Sequence, residues 1–168
     1  MTPPELDRLR ERLAEITDLQ ALGALMFWDQ NTMMPPGGAG ARADMADTLQ
    51  RTVHARETDP ELGRLLDALE PWAAGEDPDS DNARLVHWAR RDFEKSLRVP
   101  ADLAAQLTRA KAEGLQAWME ALAASDFQRM RGALERHVEL RHEYVDCFEG
   151  HAHPYDVLLD DFEPGLTT

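Results

Sequence analysis

The amino-acid sequence predicts an all-α fold, a bundle-like arrangement of about six helices. Apolar residues recur at spacings of three and four along most of the chain, which is the periodicity of a helix with one buried face. Proline and glycine clusters interrupt this pattern between the predicted helices. The sequence contains no run of alternating apolar and polar residues between turn signals, the pattern of strands. We expect a single helical domain over residues 1–168.

The first three predicted helices occupy the N-terminal part of the chain. The first begins at a capping-box pair, Thr2 and Glu5, and ends at about Trp28, before the prolines and glycines of residues 35–38. A second helix follows, and Asp59-Pro60, an N-cap before a first-turn proline, opens the third. Their expected inward positions are Leu6, Leu9, Leu13 and Ile16, then Met45, Leu49 and Val53, then Leu62, Leu65, Leu66 and Leu69.

The remaining helices follow an acidic segment, residues 72–82, which is expected to be a solvated loop. Val99-Pro100 ends the fourth helix and starts the fifth, and Ser125 and Gln128 have capping-box spacing before the sixth. Residues 155–162 have room for two further turns. The expected inward positions are Val86, Ala89, Phe93 and Leu97, then Leu103, Leu107, Ala110, Trp118 and Leu122, then Phe127, Met130, Leu134, Val138 and Val145.

Composition limits the partners and the compartment. The 168 residues include 32 acidic and 18 basic side chains, a formal net charge of −14. Such a surface repels phosphate backbones, so we expect no nucleic acid partner. No run approaches the roughly 18 apolar residues of a membrane span, and the N-terminus lacks a secretory pattern. Cys147 is the only cysteine, which excludes an internal disulfide. We therefore expect a cytoplasmic protein without a membrane partner.

The segment from His142 to Asp146 is similar to a zinc-helix pattern. In His-Glu-x-x-His, two histidines four residues apart bind zinc on one helical face, and the glutamate acts as base. Here Asp146 replaces the second histidine, Glu143 is the candidate base, and His151 and His153 are sources of a third ligand. The alternative is a solvated helix edge with ordinary charge pairing. Because a motif counts only in its structural context, we expect no metal, with His142 and Asp146 the remaining candidates.

Three longer stretches are more specific than this pentapeptide. They are residues 28–42, which begin Trp28-Asp29-Gln30, residues 54–66, and residues 154–165, which contain Asp160-Asp161-Phe162-Glu163. In order and spacing, over essentially the whole chain, they resemble the carboxypeptidase Taq family of metallopeptidases. Small departures from the family pattern are Gly40 for an acidic residue, Phe162 for tyrosine and Leu166 for methionine.

The resemblance implies the N-terminal part of a larger helical enzyme. Family members are dimeric, cytoplasmic zinc carboxypeptidases that remove C-terminal amino acids from peptides, with a deep cleft that the N-terminal helices help to form. Their zinc motif, third metal ligand and substrate-binding arginine lie beyond the stretch matched here, so no catalytic residue carries over, and zinc is implied only for the full-length family. The expected cleft or structural residues are Trp28, Asp29, Gln30, Tyr155, Asp160, Asp161 and Glu163.

Three hypotheses therefore stand. The chain is the N-terminal helical region of a metallocarboxypeptidase and is not itself catalytic, or it is a stand-alone interaction or dimerisation module without the catalytic region. The third is a small metalloprotein built on His142 and Asp146. Under the first hypothesis some apolar faces were shaped to pack against further helices, notably the stripe of Leu19, Leu22, Leu25, Met26, Phe27 and Trp28.

Overall fold

The structure, a computed structural model, describes residues 2–168 apart from the side chain of Pro36. Over this part of the chain it contains α-helices, one short 3₁₀ helix and no strand, so the all-α class is confirmed. The helices are α1 (Pro4–Thr32), α2 (Ala39–Glu57), α3 (Pro60–Ala73), α4 (Asp81–Arg98), α5 (Ala101–Ala124), α6 (Gln128–Val145) and α7 (Pro154–Asp160), with the 3₁₀ helix at Pro36–Gly38.

The backbone divides into two compact units, Met1–Leu97 and Arg98–Thr168. The first contains α1 to α3 and nearly all of α4, and the second contains α5, α6 and α7. The single domain over residues 1–168 stays a prediction. Within residues 2–168, each helix is too short or too polar to cross a membrane.

The first unit packs around the inward faces of α1, α3 and α4. Its core consists of Leu6, Leu9, Ile16, Leu62, Leu66, Leu69, Val86, Ala89 and Phe93. Each of these positions follows the spacing of three and four in the sequence, which is why the sequence predicts them. Burial of a large aliphatic or aromatic side chain contributes about 1.5–3 kcal/mol, so this cluster is the main source of stability in the unit.

Helix boundaries in the first unit follow local hydrogen bonds. The carboxylate of Asp59 accepts the backbone N–H of Glu61 at 2.8 Å and caps α3 as predicted. At the start of α1, in contrast, the N-cap is Pro3 without a side-chain bond, so the predicted capping box of Thr2 and Glu5 is wrong. The same helix continues to Thr32, one turn beyond the predicted end.

The second unit is an antiparallel hairpin of α5 and α6, and α7 packs against its base. Its core is Val99, Leu103, Ala110, Leu140, Tyr144, Val145 and Val157. Gly114 lies on the line where the two helices meet, because a Cβ atom there would stand 3.3 Å from the imidazole ring of His137. The two helices thus approach closely where one of them carries no side chain.

The turn between α5 and α6 differs from the prediction. Ser125 does not cap α6. It has a left-handed backbone, with φ of 50°, and forms the C-cap of α5. The carboxylate of Asp126 instead accepts the N–H of Gln128 at 3.1 Å. The predicted capping box of Ser125 and Gln128 is therefore wrong, because the acceptor at this helix start is Asp126 and not Ser125.

Several apolar positions predicted to face inward are exposed instead. They are Met45, Leu97, Trp118, Leu122, Phe127, Leu134 and Val138. Periodicity correctly identifies the helices beside or within which they lie, but each of these side chains keeps 44–63% of its surface exposed.

A substitution at Gly63 tests the packing of α3 against α4. A Cβ atom at this position would stand 2.8 Å from Cζ of Phe93, a buried core ring. We expect Gly63→Ala to destabilise the protein by about 1–3 kcal/mol in chemical denaturation, because the ring has to move. Gly132 in α6 is the matched control, since a Cβ atom there has no neighbour within 4 Å. Gly132→Ala should stabilise by up to about 1 kcal/mol through helix propensity, and equal effects of the two substitutions would contradict the packing.

Candidate functional site

The residues around Asp29 join α1 to α2. The carboxylate of Asp29 forms a partly buried ion pair with the guanidinium of Arg42 in α2. Its backbone carbonyl accepts the N–H groups of Met33 at 2.8 Å and Met34 at 3.0 Å, which closes the end of α1. Asp29 therefore holds the end of α1 and also contacts α2, on the two sides of the Pro-Pro-Gly-Gly turn. This segment is one of the three that resemble the family.

Trp28 and Gln30 flank this aspartate without sharing its contacts. The side chain of Trp28 is 58% exposed, and Gln30 is half-buried. The tryptophan is thus not a packed core residue of this chain. An exposed indole at a helix end is suited to contact another surface.

The segment from His153 to Thr168 is organised by the buried carboxylate of Asp156. One oxygen accepts the backbone N–H of His153 at 3.0 Å, and the other accepts the N–H of Thr168 at 2.8 Å. His153 caps α7 in return, since its Nδ1 accepts the N–H of Tyr155 at 3.1 Å. The hydrogen bond from Thr168 is the main reason why the pKa of Asp156 lies below its ordinary value.

The predicted acidic residues of this segment are hydrogen-bond acceptors. Asp161 accepts the hydroxyl of Tyr144 at 2.8 Å and connects the end of α7 to α6. Asp160 accepts the N–H of Gly165 at 2.9 Å, at a glycine whose φ of 81° suits residues without a side chain. The side chain of Glu163 is exposed to solvent. Two of the three predicted acidic residues therefore hold the chain reversal after α7.

Burial of Tyr144 follows from its position in the core of the second unit. Desolvation, and then the hydrogen bond to Asp161, raises the pKa of its phenol well above the ordinary value. Burial likewise raises the pKa of the Cys147 thiol, which disfavours the thiolate that a nucleophile requires.

A groove of about 440 Å³ lies between α6 and α7. It brings together His142 from the zinc-like segment and Tyr155 from the family-like segment, and His137, Arg141 and His153 also line it. Apolar side chains complete it: Val138, Val145, Pro154 and Leu158. The groove therefore concentrates basic side chains in a chain of net charge −14, although most of its exposed lining is apolar.

The zinc-like segment lies at the C-terminal end of α6. His142 and Asp146 lie four residues apart on α6 and its C-cap, and both are exposed. In the part of the chain that the structure describes, no group of three His, Cys, Asp or Glu side chains is placed to hold a metal ion. Structural and catalytic zinc sites use at least three protein ligands, so these residues do not fit the zinc that the family resemblance implies. That the isolated chain binds no zinc stays a prediction.

Sequence reasoning missed several residues that organise these segments. They are Arg42, Tyr144, Asp156, His153 as a cap, and Thr168. Arg42 lies at the end of one family-like segment, 13 residues after Asp29, and this separation does not indicate that the two side chains meet. Tyr144 and Asp161 are 17 residues apart, and nothing in their spacing indicates that they meet.

The family model of the carboxypeptidase Taq (M32) metallopeptidases matches residues 8–168. The chain belongs to this family. It is similar to thermostable carboxypeptidase 1 of Thermus thermophilus, with 34% identity over 99% of the chain and 34% of that protein. It is also similar to carboxypeptidase 1 of Bacillus subtilis, with 29% identity over 92% of the chain and 30% of that protein.

Solved structures of the family have the same fold. The crystal structure of BsuCP superposes with a TM-score of 0.90 at 27% identity, covering 98% of this chain and 33% of that one. The M32 carboxypeptidase of Deinococcus radiodurans superposes with a TM-score of 0.71 at 34% identity, also over 98% and 33%. The chain thus spans about a third of the length of the relatives it matches. The resemblance to an N-terminal region is confirmed.

The bond between Tyr144 and Asp161 gives a prediction for this family segment. Tyr144→Phe should lower the free energy of unfolding by about 1 kcal/mol near neutral pH, because a partly buried acceptor loses its donor. A raised pKa in the folded state means that the phenol stabilises the fold below its unfolded pKa, near 10, and that this contribution is lost as the pH rises further. Denaturation against pH should show this alkaline loss in the parent protein and not in Tyr144→Phe. The control is Tyr155→Phe, at a half-exposed tyrosine, which should change stability little.

The carboxylate of Asp156 gives the opposite pH dependence. Because it accepts two backbone N–H groups only in the folded state, its contribution is present above the unfolded pKa, near 4, and is lost as the pH falls through the lower folded pKa. Amide hydrogen exchange should show Thr168 losing protection in acid, and in Asp156→Ala at every pH. Glu163→Ala is the control at an exposed neighbour. Unchanged exchange at Thr168 in Asp156→Ala would refute this role.

Proposed function

We propose that this chain is the N-terminal helical region of a zinc-dependent metallocarboxypeptidase, an enzyme that removes C-terminal amino acids from peptides. One observation carries the proposal: the family match extends over residues 8–168, yet the chain spans about a third of its relatives. The sequence holds no His-Glu-x-x-His, so the zinc and the catalytic groups belong to the other two-thirds of such an enzyme. The role of this chain is structural.

The α1 helix supports a role as one part of a larger fold. Residues 19–28 contain no charged side chain, although Leu22, Leu25, Phe27 and Trp28 in this stretch are 45–59% exposed. Helices that are apolar on several faces are normally buried within a larger protein. We propose that this stretch packs against the catalytic region, where burial of each large side chain is worth about 1.5–3 kcal/mol. Trp28, Asp29 and Gln30 then form a wall or hinge element of the cleft.

In this proposal, the family-like segments fix the places where the chain reverses its direction. Asp29 with Arg42, and Asp161 with Tyr144, tie the ends of helices to neighbouring helices. Rigid reversals hold the helices that would line a substrate cleft at set positions, which positions a site more accurately than mobile loops. The partners of the complete enzyme are peptide substrates and a second subunit, and we place it in the cytoplasm, without nucleic acid or membrane partners.

A second function is favoured by the exposed apolar side chains alone. A stand-alone helical interaction or dimerisation module would also expose Leu22, Leu25 and Trp28, and it would have no catalytic region. The DNA sequence downstream of the codon for Thr168 separates the two proposals. An in-frame His-Glu-x-x-His supports the enzyme, and a stop codon without a further family segment supports the module.

The proposal predicts that the chain alone releases no C-terminal amino acid from a peptide, with or without added zinc. It also predicts that activity appears when the chain is mixed with a polypeptide corresponding to the C-terminal two-thirds of the Bacillus subtilis carboxypeptidase 1. Trp28→Glu should weaken this reconstitution, and Trp88→Glu, at another exposed tryptophan of the first unit, is the matched control. Zinc-dependent release by the chain alone, abolished by a chelator and by Glu143→Gln, would contradict the proposal.

A further inference from the structure

The groove between α6 and α7 is built from one stripe of each helix. On α6 its residues have the spacings of three, four and seven that define one helical face: Val138, Arg141, His142 and Val145. The other side of the groove is formed by the N-cap and the first turns of α7: His153, Pro154, Tyr155 and Leu158. Its volume of about 440 Å³ is that of a site for a small molecule.

The lining of the groove contains basic side chains and, among the residues that the structure describes, no acidic one. This is unusual in a chain with 32 acidic residues out of 168. The acidic neighbours on α6, Glu139 and Glu143, lie 3.1 and 3.6 Å from the guanidinium of Arg136, which is not part of the groove. Asp156 of α7 is buried and accepts backbone N–H groups. The groove therefore attracts negative charge within a molecule that otherwise repels it.

Arg141 is the arginine of α6 that has no carboxylate partner within residues 2–168. The other arginines of this helix each form an ion pair with an acidic side chain: Arg129 with Asp126, Arg131 with Glu135 and Arg136 with Glu139. The guanidinium of Arg141 lies instead 5.6 Å from the centre of the Tyr144 ring, in a cation–π contact. Because such a contact occupies no N–H group, the donors of this guanidinium are open to an anion.

Other hydrogen-bond donors line the same groove. Nδ1 of His153 accepts the N–H of Tyr155 at 3.1 Å, so the neutral ring carries its proton on Nε2, which is a donor. The hydroxyl of Tyr155, a residue that is 53% exposed, and the imidazole of His142 also belong to the lining. The groove therefore combines one arginine and several weaker donors with an apolar surface.

These features specify the charge and the shape of a ligand. Arg141 is the one group of the lining that is charged at every physiological pH, and its planar guanidinium matches a single carboxylate. A ligand with several negative charges is repelled by the rest of a chain of net charge −14. Val138, Val145 and Leu158 favour an apolar group beside that carboxylate. A concave site of this volume suits a small molecule, whereas protein surfaces meet over larger areas.

We propose that the groove between α6 and α7 binds a small monocarboxylate that carries an apolar group. Arg141 holds the carboxylate, and the apolar group lies on Val138, Val145 and Leu158. An apolar amino acid at the C-terminal end of a peptide and a free aliphatic acid share this chemistry. The inference goes beyond the proposed function and does not rest on it, because binding by the chain alone requires no activity.

Titration of the purified chain with N-acetyl-leucine and with 4-methylpentanoate, followed by the NMR shifts of backbone amides, tests this site. We expect saturable shifts in α6 and α7 around the groove, with a dissociation constant of about 1 mM, typical of a ligand of roughly ten non-hydrogen atoms. N-acetyl-leucinamide, which lacks the negative charge, should bind at least about 10-fold more weakly. Binding of N-acetyl-leucine alone identifies the end of a peptide as the ligand, and binding of both acids shows that the peptide group is not required.

Two variants of the groove and one matched control extend this test. Arg141→Gln should raise the dissociation constant of the carboxylates at least about 10-fold, because charge-assisted hydrogen bonds are lost. Val138→Glu, at a half-exposed position, places a competing carboxylate in the groove and should weaken binding as much, in case the first variant perturbs folding. Arg136→Gln removes an arginine of the same helix outside the groove and should leave binding unchanged. Circular dichroism verifies that all three retain the helical content of the parent.

The outcomes separate this proposal from the proposed function. Absence of saturable binding by the parent overturns the proposal, and so does equal binding by folded Arg141→Gln or equal binding of the amide. A polypeptide of the C-terminal two-thirds of the Bacillus subtilis carboxypeptidase 1 that abolishes binding shows that a protein segment fills the groove, and the assignment to a small molecule then fails. Binding that persists in this mixture supports the proposal, and the activity of the mixture tests the proposed function by a separate readout.

Discussion

The ends of its helices constrain this structure more than any other feature. A helix leaves backbone N–H groups without partners at its start and carbonyl groups at its end, and a chain of short connections must satisfy them locally. Here an aspartate side chain accepts one such N–H group at the start of each of three helices: Asp59 at α3, Asp126 at α6 and Asp156 at α7. The large excess of acidic residues thus has a structural use beyond solubility. Each such carboxylate fixes where the next helix begins, and so which face it turns toward the core.

The same interaction explains where prediction from sequence succeeded. Asp59-Pro60 was assigned correctly because an N-cap and a first-turn proline act within four residues. The cores of α1, α3 and α4 were assigned because helical spacing alone places their apolar side chains on one face.

Contacts between residues far apart in the sequence could not be found from local patterns. The pairs Asp29 with Arg42 and Tyr144 with Asp161 depend on how helices fold back on one another, which no local pattern encodes. The predicted cap at Ser125 is wrong for a related reason. Two neighbouring side chains could accept the hydrogen bond, and Asp126 accepts it.

The zinc-like segment shows how spacing misleads without its surroundings. His142 and Asp146 lie four residues apart at the end of α6, yet His142 lines a mostly apolar groove and Asp146 is exposed to solvent. A metal site needs donors that converge from more than one element. Identification of the family therefore depended on the long stretches at residues 28–42 and 154–165, and these stretches hold structural reversals. These two stretches are therefore specific to the fold of the family. They support a function only because they identify the family.

The exposed apolar stripes follow from a general limit on amphipathic patterns. Periodicity indicates that a helical face is apolar, but it does not indicate which part of the protein covers that face. For this reason Trp118, Leu134 and Val138 were predicted to face inward and are exposed in this chain. Two such surfaces differ in their content of charged side chains. The stretch 19–28 of α1 has no charge at all, which suits permanent burial inside a larger fold. Residues 111–138, which include Trp118, Leu134 and Val138, contain four acidic and four basic side chains, the mixture typical of a solvated surface. A chain that spans about a third of the length of its relatives is expected to expose apolar faces of this kind.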